Sequence, residues 1–353
     1  MTRQFLRGSA GPLAGRYDVA LLDLDGVVYR GTEAVPGAAA ALEQAGQAGM
    51  RRAFVTNNAA RSPGAVAEHL RRLGIPAEPS DVVTSAQTGA HVLAERLPPG
   101  SRVLVVGTAS LAEEVTARGL TLASSAAENP AAVIQGYSPD TGWRLLAEAV
   151  VAIRQGALWL ATNDDLTVPS PRGPLPGNGS FVAVVRAVAE AVPIVTGKPE
   201  PAMHREMMER TGAQRPLIVG DRLDTDIEGA TRAGVASLLV LTGVTTPALL
   251  LTAPPEHRPS YLAAALGGLL TPHPEPQALG GTRWECGGYV ATAGPDGLYL
   301  SGDGDDEMDA LRALCGCAWA VAPGGWAPRP APAVVAESAR AAEAAHRLGL
   351  GSL

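Results

Sequence analysis

Apolar runs of strand length alternate with segments of helical period along most of this chain. Val19-Ala20-Leu21-Leu22 contains no polar residue and stops abruptly at Asp23-Leu24-Asp25-Gly26. Short apolar runs of this kind, bounded by polar or turn residues, suit strands buried on both faces of a parallel sheet. The pattern predicts strand over Asp18–Asp25, helix over Val35–Ala48 and strand over Arg51–Thr56. It continues with helix over Pro63–Leu73, a short strand over Asp81–Thr84 and helix over Ser85–Leu97. Such alternation is that of βαβ units.

The series is then interrupted. About 140 residues separate Thr56 from Lys198, whereas ordinary βα connections are only a few residues long. The interval has an alternation of its own: strands at Arg102–Gly107, Ala131–Gln135 and Ala157–Thr162, helices at Ser110–Arg118 and Gly142–Gln155. It reads as an inserted α/β domain. A core then resumes near Phe181 and includes three apolar runs, at Pro193–Thr196, Pro216–Val219 and Ala236–Thr242, with a closing helix over Tyr261–Leu270. Thr271–Pro276 is proline-rich and reads as a linker. The tail has two β-like runs, Trp284–Thr292 and Leu298–Ser301, around the turn Gly294-Pro295-Asp296-Gly297. Two alanine-rich helical stretches come last, Asp305–Val321 and Pro332–Leu348. The expected fold class is α/β, a Rossmann-like parallel-sheet core with an inserted α/β domain and a small α+β C-terminal extension. The expected limits are 1–85 with 181–272 for the core, 86–180 for the insert and 273–353 for linker and extension.

The candidate chemistry sits where strands turn polar. Asp23 and Asp25 are one residue apart, and two carboxylates that close repel unless a cation holds both ionised. The second run ends in Thr56-Asn57-Asn58, the third in Gly197-Lys198-Pro199 and the fourth in Gly220-Asp221, followed by Asp224 and Asp226. Ligands of open parallel sheets bind just beyond the carboxyl ends of the strands, so these side chains form a metal-and-phosphate inventory. No role is assigned to Arg222.

These four segments, in this order, resemble the haloacid dehalogenase superfamily. Phe54-Val55-Thr56-Asn57-Asn58 and Gly220-Asp221-Arg222-Leu223-Asp224-Thr225-Asp226 are similar to the NagD-like subgroup, with its phosphoglycolate, glycerol-phosphate and pyridoxal phosphate phosphatases. The resemblance implies a magnesium-dependent phosphatase, with the insert as a C2-type cap that sets substrate choice. It implies Asp23 as nucleophile, forming an aspartyl phosphate, and Asp25 as acid and base. The Mg2+ ligands would be Asp23, the Asp25 backbone carbonyl and Asp221, with Asp226 acting through water or by orienting Lys198. Thr56, Asn57 and Lys198 would bind phosphate, and Asn163 and Asp164 in the cap would contact substrate, although Asn163-Asp164-Asp165 also reads as an Asx turn. Glycerol 3-phosphate and 2-phosphoglycolate are the favoured substrates; pyridoxal phosphate or a nucleotide monophosphate is the alternative. Phosphotransfer to a sugar is a sibling reading, and a tail devoted to partner binding is another.

Composition narrows the classes. At 353 residues, 46% hydrophobic and 18% charged, the chain can bury large cores, and its net charge of -7 argues against a nucleic-acid partner. Cys286, Cys315 and Cys317 lack zinc-ligand spacing, and few, odd thiols suit a reducing cytoplasm. Met1–Gly15 reads as neither a signal peptide nor a membrane span. Val106-Gly107-Thr108 lacks the further glycines of a dinucleotide loop, and the tail lacks the Arg-x-x-Gly-x-Gly turn of an acetyltransferase. The expected partner is a small phosphorylated metabolite; homo-oligomerisation is left open.

Overall fold

The computed structural model describes residues 6–168, 170, 172–325 and 331–351, so part of the Met1–Gly15 reading lies outside the described residues. The chain divides into two compact units, residues 1–52 with 213–353, and residues 53–212.

In the first unit, strand Val19–Leu22 lies parallel to Pro216–Gly220, with Ala20 opposite Leu217 and Leu22 opposite Val219. Ala236–Val240 and then Tyr261–Ala263 extend the sheet, also parallel. All four residues of Val19–Leu22 are buried, which explains the uninterrupted apolar run. The register also fixes the level at which the strands end. The Asp23 N–H still donates to the Val219 carbonyl at 2.9 Å, so Asp23 and Asp221 leave adjacent strands at nearly the same level.

Tyr261–Leu270, expected as one helix, is strand Tyr261–Ala263 followed by a 3-10 turn at Leu266–Leu270. All three strand residues are buried. Glycines at Gly267 and Gly268 weaken a helix there. The expected linker is also packed: His273 is 2% exposed, pairs through its backbone with Ser9 and contacts the Gly268 carbonyl through Nε2 at 2.8 Å.

The tail forms a five-stranded sheet. Gln277–Gly280, Arg283–Cys286, Tyr289–Gly294 and Gly297–Gly302 run antiparallel, and Val334–Ala336 adds a parallel edge. The expected helix over Pro332–Leu348 is shortened to Ala339–Arg347, because β-branched Val334 and Val335 pair as strand and Ser338 then caps the helix. Helix Glu307–Val321 is buried continuously from Met308 to Trp319. It is buried all round because it has two partners. Its residues share one hydrophobic cluster with Ala291 and Leu300 of the tail sheet and with Leu239, Leu250, Leu251 and Leu262 of the parallel sheet and its flank. The Trp319 indole donates to the Leu250 carbonyl at 3.1 Å, and the Arg312 guanidinium to that of Leu262 at 2.7 Å.

In the second unit, Val82–Thr84 pairs in parallel with Phe54–Thr56. A separate parallel sheet runs in the order Ile194–Val195, Leu158–Ala161, Ala132–Gln135, Arg102–Val106, Thr121–Ala123. Val103, Ile134 and Leu160 face helices Ser85–Arg96 and Ala109–Ala117. Leu104, Val133 and Trp159 face helices Trp143–Arg154 and Asn178–Ala189. The side-chain period of two thus loads both faces. Ile194–Val195, expected as a core strand, pairs with Leu160 and Ala161 and belongs to this sheet. The helix at Phe181, expected as the start of the resumed core, packs on the same sheet through Val182 and Val185. Among the described residues no helix is long and apolar enough to cross a membrane.

Candidate active site

The first unit gathers three carboxylates. One oxygen each from Asp23, Asp221 and Asp226 can be chosen so that all lie within 4.8 Å of one another. Asp221 and Asp226 are each 1% exposed. Strand register brings Asp23 and Asp221 together, and a local irregularity turns Asp226 inward. After Gly220 the chain forms a π-helical turn, Leu223–Ile227, before helix Glu228–Ala233; such turns concentrate at functional sites. Asp226 Oδ2 accepts the N–H groups of Asp221 at 3.2 Å and Arg222 at 3.1 Å. Asp224 faces outward and is gripped by Arg222 through two contacts, of 3.0 and 2.7 Å. The residue left without a role by sequence is therefore half of a surface pair.

Asp221 is held from a second side. The Val244 N–H donates to its Oδ2 at 2.6 Å, a short charge-assisted bond, and the Thr245 N–H to its carbonyl at 3.1 Å. This loop comes close because it is bare: a Cβ on Gly243 would stand 1.9 Å from Asp221 Oδ2. Gly26, at φ +87°, meets the same carboxylate, and its Cβ would lie 2.6 Å away. The glycine of Asp-x-Asp-Gly thus turns the chain and leaves room for Asp221. The contact at Gly243 carries no motif and went unnoticed in the sequence. Asp25 is exposed, and its carboxylate is not part of the cluster.

A cluster whose donors are all carboxylate oxygens suits magnesium. The residues present fit that ion: Asp23 and Asp221 would hold it, with Asp226 beside them.

The second unit contains the other expected group. Asn57 clasps the Lys198 backbone, with Oδ1 accepting the Lys198 N–H at 2.8 Å and Nδ2 donating to the Lys198 carbonyl at 3.2 Å. Nδ2 also donates to Asp165 Oδ2 at 3.1 Å. The Asn57 side chain is therefore engaged with the Lys198 backbone and with Asp165. Lys198 is 3% exposed and its Nζ donates to the Val55 carbonyl at 3.2 Å. Thr56 is 7% exposed, with Oγ1 accepting the Asn58 N–H at 3.2 Å. Asn163 is buried; its Nδ2 donates to the Asn57 carbonyl at 2.7 Å and its Oδ1 accepts the Asp165 N–H at 3.2 Å, so the Asx turn forms. Asp164 is exposed. Sequence reasoning missed Asp165, Ser85, whose hydroxyl donates to the Asn57 carbonyl at 2.6 Å, and Asn178, which donates to the Asn163 carbonyl at 2.6 Å.

Comparison with known proteins places the chain in a family. The family model described as haloacid dehalogenase-like hydrolase matches residues 20–121, and a second HAD-hydrolase-like model matches 195–269. The D-glycerol 3-phosphate phosphatase of Mycobacterium tuberculosis is 45% identical over 319 residues, covering 87% of each chain. This chain belongs to the haloacid dehalogenase-like hydrolases. The crystal structure of that organism's glycerol phosphate phosphatase in complex with magnesium superposes with a TM-score of 0.86 at 43% identity, over 97% of this chain and 100% of the other. An acid sugar phosphatase of Staphylococcus saprophyticus is 36% identical over 232 residues, 65% of this chain and 88% of its own. The shorter match is consistent with an extension beyond the hydrolase core. Residues 286–350 of this family member match a model described as GCN5-related N-acetyltransferase like domain, and they contain the tail helices and most of its sheet.

Proposed function

We propose that this hydrolase removes phosphate from a small phosphomonoester in a magnesium-dependent reaction, with glycerol 3-phosphate as the preferred substrate class and 2-phosphoglycolate next. The observation that carries the reading is the Asp23–Asp221–Asp226 cluster, with Asp221 and Asp226 buried and Asp23 half-buried, at the ends of two adjacent parallel strands. The relative that matches most of the chain and bears the name glycerol 3-phosphate phosphatase supports the substrate class. Asp23, Asp221 and the Asp25 carbonyl would hold magnesium, with Asp226 acting through water or by orienting Lys198, and the ion would supply positive charge to the phosphoryl group.

The chain's own residues do the rest. Asp23 attacks phosphorus and holds it as an acyl phosphate, dividing one difficult hydrolysis into two easier steps. Asp25, exposed and outside the cluster, gives its proton to the leaving alkoxide and then takes one from the attacking water. The Thr56 hydroxyl bonds the phosphate and the Lys198 ammonium neutralises it, with Asn57 fixing the backbone of Lys198. The inserted α/β domain acts as the cap that limits substrate size, with Asn163 and Asp164 on its substrate loop.

Phosphate release from glycerol 3-phosphate, 2-phosphoglycolate, pyridoxal phosphate and nucleotide monophosphates, with magnesium or a chelator, tests the reading. We expect magnesium-dependent turnover, highest on glycerol 3-phosphate. Asp23→Asn should abolish it, and Asp25→Asn should lower it by about two to four orders of magnitude while leaving magnesium binding intact. Robust turnover in either variant overturns the assignment.

A further inference from the structure

The geometry points to Thr242 and Arg30 as positioning residues for the metal site, acting through the loop Thr242–Thr245. The inference rests on the magnesium-phosphatase reading and adds residues that no motif of the family-like segments contains.

Four successive residues of this loop engage both halves of the site in the first unit. The Thr242 hydroxyl donates to the Gly26 carbonyl at 2.6 Å, which fixes the turn just after Asp25. The Thr242 carbonyl receives Arg30 Nε at 2.7 Å and Arg30 Nη2. Arg30 lies on the small hairpin Tyr29–Arg30 with Glu33–Ala34, which continues directly from that turn. The turn itself is closed by the Gly26 N–H donating to the Tyr29 carbonyl at 2.8 Å. Gly243 then passes against Asp221, the Val244 N–H holds Asp221 Oδ2, and the Thr245 N–H holds the Asp221 carbonyl.

One short loop thus sets the distance between the turn carrying Asp25 and the carboxylate of Asp221. Carboxylates that are ionised this close repel one another and tend to spread. Fixed donors on Asp221 and a tethered Asp25 turn oppose that spreading, so less reorganisation remains when magnesium enters. Supporting bonds around metal ligands act in this way and commonly change metal affinity when removed. Thr242 is suited to the task because it donates from its side chain on one side and accepts at its carbonyl on the other. Arg30 is suited because two of its donors converge on a single oxygen.

The test uses the full-length enzyme, stripped of metal and titrated with magnesium chloride by isothermal calorimetry, with steady-state hydrolysis of 4-nitrophenyl phosphate alongside. Thr242→Val keeps the shape and removes the hydroxyl; Thr242→Ser restores it. We expect Thr242→Val to bind magnesium about two- to twelve-fold more weakly, the worth of one hydrogen bond. It should lower kcat more than it raises KM, and Thr242→Ser should return both to wild-type values. Arg30→Ala, at an exposed position, should weaken magnesium binding in the same direction. Wild-type magnesium affinity in Thr242→Val, or a serine variant as weak as the valine one, overturns the inference. If Thr242→Val does not fold, Arg30→Ala decides alone: unchanged affinity sinks the inference and weakened affinity upholds it. A wild-type enzyme without magnesium-dependent hydrolysis would instead bring down the functional reading, and the calorimetric titration separates the two failures.

Discussion

Replacing Arg312 with methionine tests whether the C-terminal module is an integral part of the first unit. Arg312 is 5% exposed and Asp309 8%. Arg312 Nη1 meets Asp309 Oδ1 at 2.5 Å, and Nη2 donates to the carbonyl of Leu262 at 2.7 Å. Leu262 lies on the edge strand of the parallel sheet, so the guanidinium joins the tail helix to that sheet. Methionine fills much of the same volume but removes the charge and both donors. Asp309 would then be left buried, with only the weak Cys286 thiol contact at 3.7 Å among the bonds described. Breaking a buried ion pair from one side costs about 3–5 kcal/mol. At roughly 2–4 °C per kcal/mol for a unit of this size, the melting temperature should fall by about 6–20 °C. The double variant Arg312→Met/Asp309→Leu removes both charges and should recover most of the loss, since apolar replacements of buried pairs are often neutral. Calorimetric melting of wild type, both single variants and the double gives the coupling directly. A single variant that melts within about 2 °C of wild type would refute the reasoning, as would a double variant whose loss equals the sum of the singles.

Two further outcomes are expected from local packing. Gly243→Ala places a Cβ 1.9 Å from Asp221 Oδ2, and the ångström-scale displacement this forces should cut kcat about 100-fold; an unchanged rate of phosphate release would contradict the packing. Burial holds the His273 imidazole below the usual histidine range. The unfolded chain therefore takes up the proton first as pH falls, and the folded state loses stability below about pH 6.5. Urea midpoints at pH 8 and pH 5 should show wild type losing ground to His273→Phe at the lower pH, whereas a constant difference would mean that His273 is not buried as described.

How far the chemistry could be read in advance depended on whether it was local. The run Val19–Leu22 ending in Asp23-Leu24-Asp25-Gly26 encodes a strand, a turn and a candidate nucleophile within eight residues, and the acids after Gly220 are equally compact. Backbone periodicity and side-chain type suffice for such features, so fold class, family and the candidate metal carboxylates could be named from the chain alone. Partner choice is not a local property. Ile194–Val195 has the same apolar pattern whichever sheet it joins, and only its pairing with Leu160 and Ala161 assigns it to the inserted sheet. Tyr261–Leu270 is apolar at nearly every position, so it has no period from which strand and helix could be told apart. His273 falls in a proline-rich segment that reads as a linker, and only the fold packs it against Gly268 and Tyr261.

The same distinction separates the two classes of site residue. Asp23, Asp221 and Lys198 carry charges that chemistry requires and that short motifs advertise. Gly243, Val244 and Thr242 act through a missing side chain, a backbone N–H, and a hydroxyl aimed at a carbonyl more than 200 residues away in sequence. Any residue has a backbone and many have a hydroxyl, so nothing in the chain marks these positions. Their roles arise when parallel pairing of Val19–Leu22, Pro216–Gly220 and Ala236–Val240 brings three strand ends together. A one-dimensional pattern records what each residue can do, while long-range pairing selects which of those capacities meet.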